Sequence, residues 1–306
     1  MQATINTSIN IVGTGLHSGR MARMAILPAE ANHGIVFHRV DITDRDNVIP
    51  ARYDLVTDTV LCTKLTNAAG ADISTVEHLM AAFAGCGIHN ALVEINGPEI
   101  PIMDGSSVKF VREILKAGKR KQAVPLRVIR ILREVAVSVG DAQATIRPSQ
   151  AAEIAFEIDF DAAAIGQQAL AKDMRNGSFI REFADCRTFC RSSDVEKMQS
   201  LGLARGGSLE NAVVVDGDKI LNPEGFRRGD ECVRHKMLDA LGDMALAGMP
   251  ILGAYSGLRA GHAVTNQLLR ALFAAEGAFE VVEADAAIMA ALPGEDLHRA
   301  DFLAVS

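Results

Sequence analysis

A histidine and an aspartate four residues apart are the side chains of this chain whose spacing most clearly suits chemistry. They are His235 and Asp239, and the apolar spacing of residues 231–248 around them predicts an amphipathic helix. Residues i and i+4 lie on one face of a helix, so both side chains could bind one cation, and Asp243 extends the stripe. Catalytic zinc sites keep three protein ligands. This helix supplies two, so the third must come from elsewhere.

The best donor of a third ligand is His78, which has a carboxylate, Glu77, directly before it. This pair suits metal-assisted hydrolysis, because a metal acidifies water and a carboxylate takes the proton. Glu77 also has a structural interpretation, since residues 74–77 match a capping box with Ser74 as the N-cap. The segment alone leaves these two roles about equal. The two segments together favour a metal-dependent hydrolase.

Length, charge and cysteine content limit what kind of protein this is. The chain has 306 residues, 49% of them hydrophobic and 23% charged, which allows one large domain or two ordinary ones. A net charge of −7 argues against a nucleic-acid partner. Without a basic leader or a membrane-spanning stretch, we expect a cytoplasmic protein, with a monomer as the simplest assembly. Five cysteines, an odd number, indicate free thiols.

Periodicity and turn residues predict an α+β fold. The predicted helices are residues 73–86, 106–117, 179–184, 195–201, 231–247 and 264–275. The predicted strands are residues 90–95, 126–139, 142–147, 154–160 and 251–258, with strand-like runs before Leu65 and a hairpin over 213–220. The basic residues 119–122 are predicted to form a solvated linker.

The pattern of strands followed by helices occurs twice, with a restart after Pro125. We therefore predict two domains of related plan, 1–124 and 125–306, each a β-sheet packed with helices. His78 falls in the first and His235 in the second. The active site is expected at the interface between the domains, where ligand sites are common.

Four blocks of sequence carry a resemblance to a known family. They are ISTVEHLMAA (73–82), GPEIPIMDGS (97–106), SLENAVVV (208–215) and VRHKMLDALGD (233–243), the last followed by residues 256–262. In these blocks the chain resembles the UDP-3-O-acyl-N-acetylglucosamine deacetylases, the zinc amidases of lipid A synthesis in Gram-negative bacteria. The likeness runs from about Asn6 to Leu272.

The resemblance implies a role for each matching residue of the site. The metal ligands would be His78, His235 and Asp239. The groups acting on the substrate would be Glu77 as general base, His262 as general acid, Asp243 as its charge partner, and Thr188 and Lys236 at the oxyanion. Zinc and ferrous iron both suit such ligands. Lys236 is expected to point about 100° away from the metal-binding stripe and toward the substrate.

The implied substrate is UDP-3-O-(3-hydroxyacyl)-N-acetylglucosamine, which would release acetate. A βαβ insert over residues 192–221 would form an apolar passage for the acyl chain. The implied substrate-contacting positions are Leu16, Val195, Ala204, Ala212 and Val214, with Phe160, Phe189 and Asp194 near the nucleotide or the hexosamine.

Two positions depart from the family pattern. Arg191 stands where members commonly have an aromatic residue, and Ala142 where some have a lysine that contacts the diphosphate. Arg191 is a candidate to replace that charge. Two alternatives remain open: a metal-dependent amidase acting on another acylated amino sugar, and a non-catalytic α+β binding module, which would tolerate Glu77→Gln.

Overall fold

The structure is a computed structural model that describes residues 1–295 together with Leu297 and Asp301. Within them the fold is α+β, as predicted. The helices are α1 (Glu77–Cys86), α2 (Val108–Ala117), α3 (Ser178–Glu182), α4 (Ser192–Ser200), α5 (Glu231–Ala245), α6 (His262–Ala274) and α7 (Ala286–Ala290), with a 3-10 turn at Tyr53–Leu55. The other residues at the end of the predicted second domain lie outside the described part of the chain.

The first half of the chain forms a five-stranded sheet. Its strands, in spatial order, are β2 (Ile9–Thr14), β3 (Met21–Pro28), β9 (Ala91–Ile95), β4 (Ile35–Arg39) and β5 (Val48–Pro50). Only β4 and β9 among these run parallel, and α1 lies in the connection between them. Buried residues alternate along β9, because successive side chains of a strand point to opposite faces.

The second half forms a seven-stranded sheet. Five strands follow the order β12 (Val135–Val139), β13 (Ala142–Arg147), β19 (Ile251–Leu258), β11 (Arg127–Ile131) and β20 (Phe279–Glu283). Strand β14 (Ala152–Asp159) joins β19 to β15 (Gln167–Asp173). The single strand predicted over 126–139 is wrong, because three exposed residues, 132–134, separate β11 from β12. Strand β15 was not predicted, since its sequence, QQALAKD, lacks a clear apolar alternation.

Two small sheets complete the first half. One pairs β1 (Ala3–Ile5) with β10 (Lys119–Lys121), and the other contains β6 (Val56–Asp58), β7 (Lys64–Thr66) and β8 (Asp72–Ile73). The predicted linker over 119–122 is therefore wrong: its backbone hydrogen-bonds to β1 while Arg120 and Lys121 stay exposed. The helix predicted from residue 73 is also too long, because Ile73 ends β8 and α1 starts at Glu77.

The segment predicted to form the insert has a strand–helix–strand pattern. Strand β16 (Phe189–Arg191) leads into α4, and β17 (Val213–Asp216) returns parallel to β16. A hairpin at Gly217, whose φ is +60°, adds β18 (Lys219–Ile220). The unit thus begins three residues before the predicted range of 192–221.

Helices α1 and α5, one from each half, cross at a glycine. A Cβ added at Gly242 of α5 would lie 2.0 Å from the carbonyl oxygen of Glu77 in α1. The absence of a side chain therefore lets the two helix backbones approach closely. One hydrophobic core includes residues from both halves, such as Phe83 and Leu238. The domain boundary between residues 124 and 125 stays a prediction.

Among the described residues, no helix combines the length and the apolar character needed to cross a membrane.

Candidate active site

Glu77 enters the site from a strained turn at the start of α1. Thr75, two residues earlier, has a φ of +59°, a value uncommon for a residue with a side chain. The capping-box interpretation is wrong, because Glu77 is the first helical residue and not the third. Ser74 Oγ donates instead to the Pro98 carbonyl at 3.2 Å, and Glu77 Oε2 accepts from the backbone N–H of Thr63 at 3.0 Å. Glu77 is thus free of a capping role.

The three predicted metal ligands lie together. One ligand atom from each of His78, His235 and Asp239 lies within 4.8 Å of the other two, and all three side chains are buried. Asp239 Oδ1 is 3.5 Å from His78 Nε2 and 3.3 Å from His235 Nε2. The two imidazole rings meet edge to face at 5.0 Å. The i, i+4 spacing on α5 and the crossing with α1 therefore produce one cluster.

Hydrogen bonds around the cluster suit a divalent metal. His235 Nδ1 donates to the Cys186 carbonyl at 3.1 Å, which leaves the lone pair on Nε2, and burial lowers the pKa of His235 to about 3. Asp239 Oδ1 is buried and has no hydrogen-bond partner in the described structure. Two imidazole nitrogens and one carboxylate oxygen are a donor set that zinc and iron accept. The residues present fit a resident metal ion.

Lys236 was predicted to point away from the metal-binding stripe, but its side chain reaches back to the cluster. Its Nζ donates to Asp239 Oδ2 at 2.7 Å, because residues i and i+3 are also neighbours on a helix. Burial opposes the charge of Lys236, but the adjacent Asp239 raises its pKa. Burial would likewise raise the pKa of Asp239, but His235 and Lys236 hold it well below its usual value. The two oxygens of Asp239 therefore face different partners, Oδ1 the imidazoles and Oδ2 the ammonium.

His262, the first residue of α6, is held between two carboxylates. Its Nδ1 donates to Asp243 Oδ2 at 2.8 Å, and its Nε2 lies 3.9 Å from Glu77 Oε1. Burial by itself would lower the pKa of His262, but Asp243 and Glu77 raise it to about 9. Burial also raises the pKa of Glu77. The site thus holds a cationic imidazole beside a carboxyl group whose proton affinity is increased.

Thr188 is positioned by a buried ion pair that the sequence did not reveal. Arg187 Nε donates to Glu231 Oε1 at 2.9 Å, and both side chains are at most 2% exposed. Thr188 N donates to the Gly105 carbonyl at 2.8 Å. Gly105 has a φ of +84°, and a Cβ there would lie 2.2 Å from the Asn211 carbonyl oxygen. The segment carrying Thr188 is therefore fixed against the start of α5 and against the first half.

Glu99 is a second residue that sequence reasoning missed. Its carboxylate is 2% exposed and accepts from the backbone N–H groups of His17 and Ser18 at 2.8 and 2.7 Å. It also accepts from Thr75 Oγ1 at 3.0 Å. One buried carboxylate thus connects the loop after β2 to the strained turn before Glu77. Nothing in its spacing distinguishes it from a surface glutamate.

The predicted aromatic contacts lie beside the cluster. The ring of Phe189 is 6.2 Å from that of His235 and 5.4 Å from that of Phe160. Asp194 instead pairs with Arg191 through two hydrogen bonds of 2.7 and 3.0 Å. The charge of Arg191, a candidate for the diphosphate, is thus already partnered.

The predicted passage residues are spread over the insert and one loop of the first half. Val195, Ala204 and Val214 are half-buried, and Ala212 is buried. The Leu16 carbonyl accepts from Gly206 N at 2.9 Å, so Leu16 and Ala204 belong to two loops in contact. Their role in binding an acyl chain stays a prediction.

These features define a class of protein, an α+β hydrolase with a buried site suited to a divalent metal. The sequence profile of the LpxC family, described as UDP-3-O-acyl N-acetylglycosamine deacetylase, matches residues 2–274. The chain therefore belongs to this family and is a deacetylase.

Several relatives carry the name UDP-3-O-acyl-N-acetylglucosamine deacetylase. The protein of Phenylobacterium zucineum (strain HLK1) is 50% identical over 280 residues, covering 92% of this chain and 96% of the relative. That of Anaeromyxobacter sp. (strain Fw109-5) is 46% identical over 281 residues, covering 92% and 91%. That of Shewanella frigidimarina (strain NCIMB 400) is 43% identical over 303 residues, covering 97% and 99%.

Proposed function

We propose that this deacetylase hydrolyses the N-acetyl group of UDP-3-O-(3-hydroxyacyl)-N-acetylglucosamine, releasing acetate and the free amine in lipid A biosynthesis. The observation that carries the mechanism is the position of Glu77 and His262. His262 Nε2 lies 3.9 Å from Glu77 Oε1, beside the cluster of His78, His235 and Asp239. Hydrolysis of an amide needs a base for water and an acid for the leaving nitrogen, and this arrangement supplies both.

His78, His235 and Asp239 would hold the metal ion, for which zinc is our first choice and ferrous iron the second. When bound, the ion would acidify water and polarise the acetamide carbonyl. The hydrogen bond from His235 Nδ1 to the Cys186 carbonyl orients the imidazole and leaves the lone pair on Nε2 for the metal. Lys236 orients Asp239, because it donates a hydrogen bond to Oδ2 while Oδ1 faces the imidazoles.

Glu77 would take the proton of the attacking water. Its Oε2 is occupied by the Thr63 N–H, so Oε1 is the oxygen available to the reaction. His262 would donate the proton from Nε2 to the departing amine, since its Nδ1–H is engaged by Asp243. Asp243 keeps that imidazole charged, and its buried position prevents water from screening the pair.

Lys236 and Thr188 would stabilise the negative oxygen of the tetrahedral intermediate. The ammonium of Lys236 lies next to Asp239, so it places positive charge at the edge of the cluster. Thr188 is fixed between Arg187 and Phe189, and the Phe189 ring lies against His235. Phe160, Phe189, Leu16 and the insert would contact the rest of the substrate.

The first test measures acetate release from UDP-3-O-(3-hydroxyacyl)-N-acetylglucosamine before chelation, after chelation, and after add-back of zinc or ferrous ion. We expect activity to disappear on chelation and to return with the physiological metal. Stoichiometric metal binding without acetate release would contradict the substrate and favour another acylated amino sugar. Full activity after complete metal removal would contradict the mechanism.

A further inference from the structure

Thr63 lies between the two acid–base groups of the site without belonging to either. It directly precedes β7 and is 2% exposed. Its backbone N–H donates to Glu77 Oε2 at 3.0 Å. Its hydroxyl Oγ1 donates to Asp243 Oδ1 at 2.6 Å, across 180 residues of sequence. One residue therefore contacts the helix of each half.

These contacts close a ring of four residues, which we call the Thr63 ring: Thr63, Glu77, His262 and Asp243. Each carboxylate uses one oxygen toward Thr63 and the other toward His262. Both contacts of Asp243 are hydrogen bonds, of 2.6 and 2.8 Å. Glu77 has one hydrogen bond, to Thr63, and its other oxygen lies 3.9 Å from His262 Nε2. A shift of Thr63 would turn both carboxylates relative to the imidazole.

The hydroxyl has one defined role in this ring. A hydroxyl can donate a hydrogen bond and a carboxylate oxygen accepts one, so Thr63 Oγ1 is the donor to Asp243 Oδ1. The bond is buried at both ends, since Asp243 is 3% exposed. Hydrogen bonds to a charged group are among the stronger ones, and a buried acceptor left without its donor is costly.

We propose that Thr63 is a positioning residue for deacetylation, which acts through Asp243 to set the angle and distance at which that carboxylate meets His262. The proposal rests on the proposed function, in which His262 is the general acid. None of the hydrogen bonds that Thr63 makes among the described residues goes to His78, His235 or Asp239. The loss of Thr63 should therefore lower the rate of the chemical step and leave substrate and metal binding in place.

Thr63→Val tests the hydroxyl, because it keeps the side-chain shape and the backbone N–H that donates to Glu77. We expect kcat to fall roughly 10- to 100-fold, with KM changed less than about twofold and metal content unchanged. Thr63→Ser, which retains a hydroxyl, should restore most of kcat. The matched control is Thr66→Val in the adjoining strand β7, which removes the hydroxyl that bonds to Thr57 of β6 and should leave kcat unchanged.

A double-mutant cycle separates positioning from general destabilisation. In the background of Asp243→Asn, Thr63→Val should cost less than about threefold, because the bond through which Thr63 acts is already altered. An equal fractional loss in both backgrounds, or a loss confined to KM, would overturn the proposal. If Thr63→Val does not fold, as judged by its circular dichroism and melting curve, Thr63→Ala replaces it in the same cycle.

The cycle also separates this proposal from the proposed function. If Asp243→Asn is slow but Thr63→Val is fully active, Thr63 has no part in the mechanism. His262 then remains the proposed acid. A fully active Asp243→Asn enzyme would contradict the acid pair itself, and Thr63 with it.

Discussion

The cluster around His78 and the insert that begins with β16 are built in opposite ways. In the cluster and beside it, charged side chains are buried and are joined by contacts that cross between the two halves. Examples are the hydrogen bond from Thr63 to Asp243 and the ion pair of His262 with Glu77. In the insert, apolar side chains remain exposed, with Leu201 at 65% and Leu209 at 40%. Small displacements in the first region change the distances between charged groups. The exposed apolar side chains of the second would be available to the acyl chain of the proposed substrate.

This contrast predicts where substitutions affect turnover and where they affect substrate binding. Changes in the cluster should lower kcat, because the groups there are the ones proposed to act on the reacting atoms. Changes in the insert should alter KM, since that segment would hold parts of the substrate far from the amide.

The largest effect is expected for Glu77→Ala. Removal of the proposed base should lower kcat by about three orders of magnitude or more, while the metal stays bound because Glu77 is not among the proposed ligands. Metal content by atomic absorption and acetate release should be measured on the same sample. Glu94→Ala, on a half-exposed carboxylate that pairs with His38, is the matched control. Loss of the metal, or near-normal turnover, would remove Glu77 from the role of base.

Asp243→Asn should alter the pH dependence of the reaction as well as its rate. His262 must be protonated to act as an acid, so activity should fall as the pH rises through its pKa, about 9 in the folded protein. The amide lacks the negative charge that raises this pKa, so the alkaline limb should move to lower pH, with a decrease of about 10- to 100-fold in kcat. A pH–rate profile of kcat measures both. An unmoved alkaline limb would show that another group titrates there.

Gly242→Ala should disturb the crossing of α1 and α5. The added methyl would lie 2.0 Å from the Glu77 carbonyl oxygen, so the helices must separate. We expect the free energy of unfolding to fall by about 1–3 kcal/mol, with a lower kcat in the protein that remains folded. Gly229→Ala, where an added Cβ meets open space, is the control for urea denaturation. Equal stability of the two variants would contradict the importance of this contact.

The smallest effect is expected in the insert, for Arg191→Ala. Arg191 is half-exposed and already paired with Asp194, so its contribution to binding a diphosphate is limited. We expect KM to rise by about threefold with kcat unchanged. Lys219→Ala removes a similar charge from the exposed strand β18 and serves as the control. An unchanged KM for Arg191→Ala would exclude this arginine as a replacement for the missing lysine.

The residues of the cluster could be predicted from the sequence, but the residues that hold them in position could not. His235 and Asp239 were recognisable because helix periodicity places i and i+4 on one face, and His78 because a carboxylate adjoins it. Thr63, Glu99 and the pair of Arg187 and Glu231 were not, because their partners are distant in sequence and their residue types are ordinary. Lys236 was misplaced, since an angle around the helix does not specify where a long side chain ends.

For the fold, too, the sequence predicted the elements with local signals but not those that depend on distant contacts. Elements with strong local signals, such as α2 with its C-terminal Gly118 and the strand β19, were predicted within two residues. Strand β10 was predicted as a linker because its residues are basic, and only the pairing with β1 makes it a strand. The start of α1 was misjudged because the bond between Thr75 and Glu99 holds the chain out of the helix.

The crossing at Gly242 also determines when the proposed site residues of the two halves come together during synthesis. Glu77 and His78 are made early in synthesis, and His235, Asp239, Asp243 and His262 follow His78 by 157 to 184 residues. A nascent chain therefore carries the proposed base without the proposed acid, and one proposed metal ligand without the other two. The proposed site is complete only when α5 has docked on α1 and α6 has placed His262 beside them. A fragment ending before α5 should therefore complement a fragment that contains α5 and α6 only if the contact between α1 and α5 re-forms.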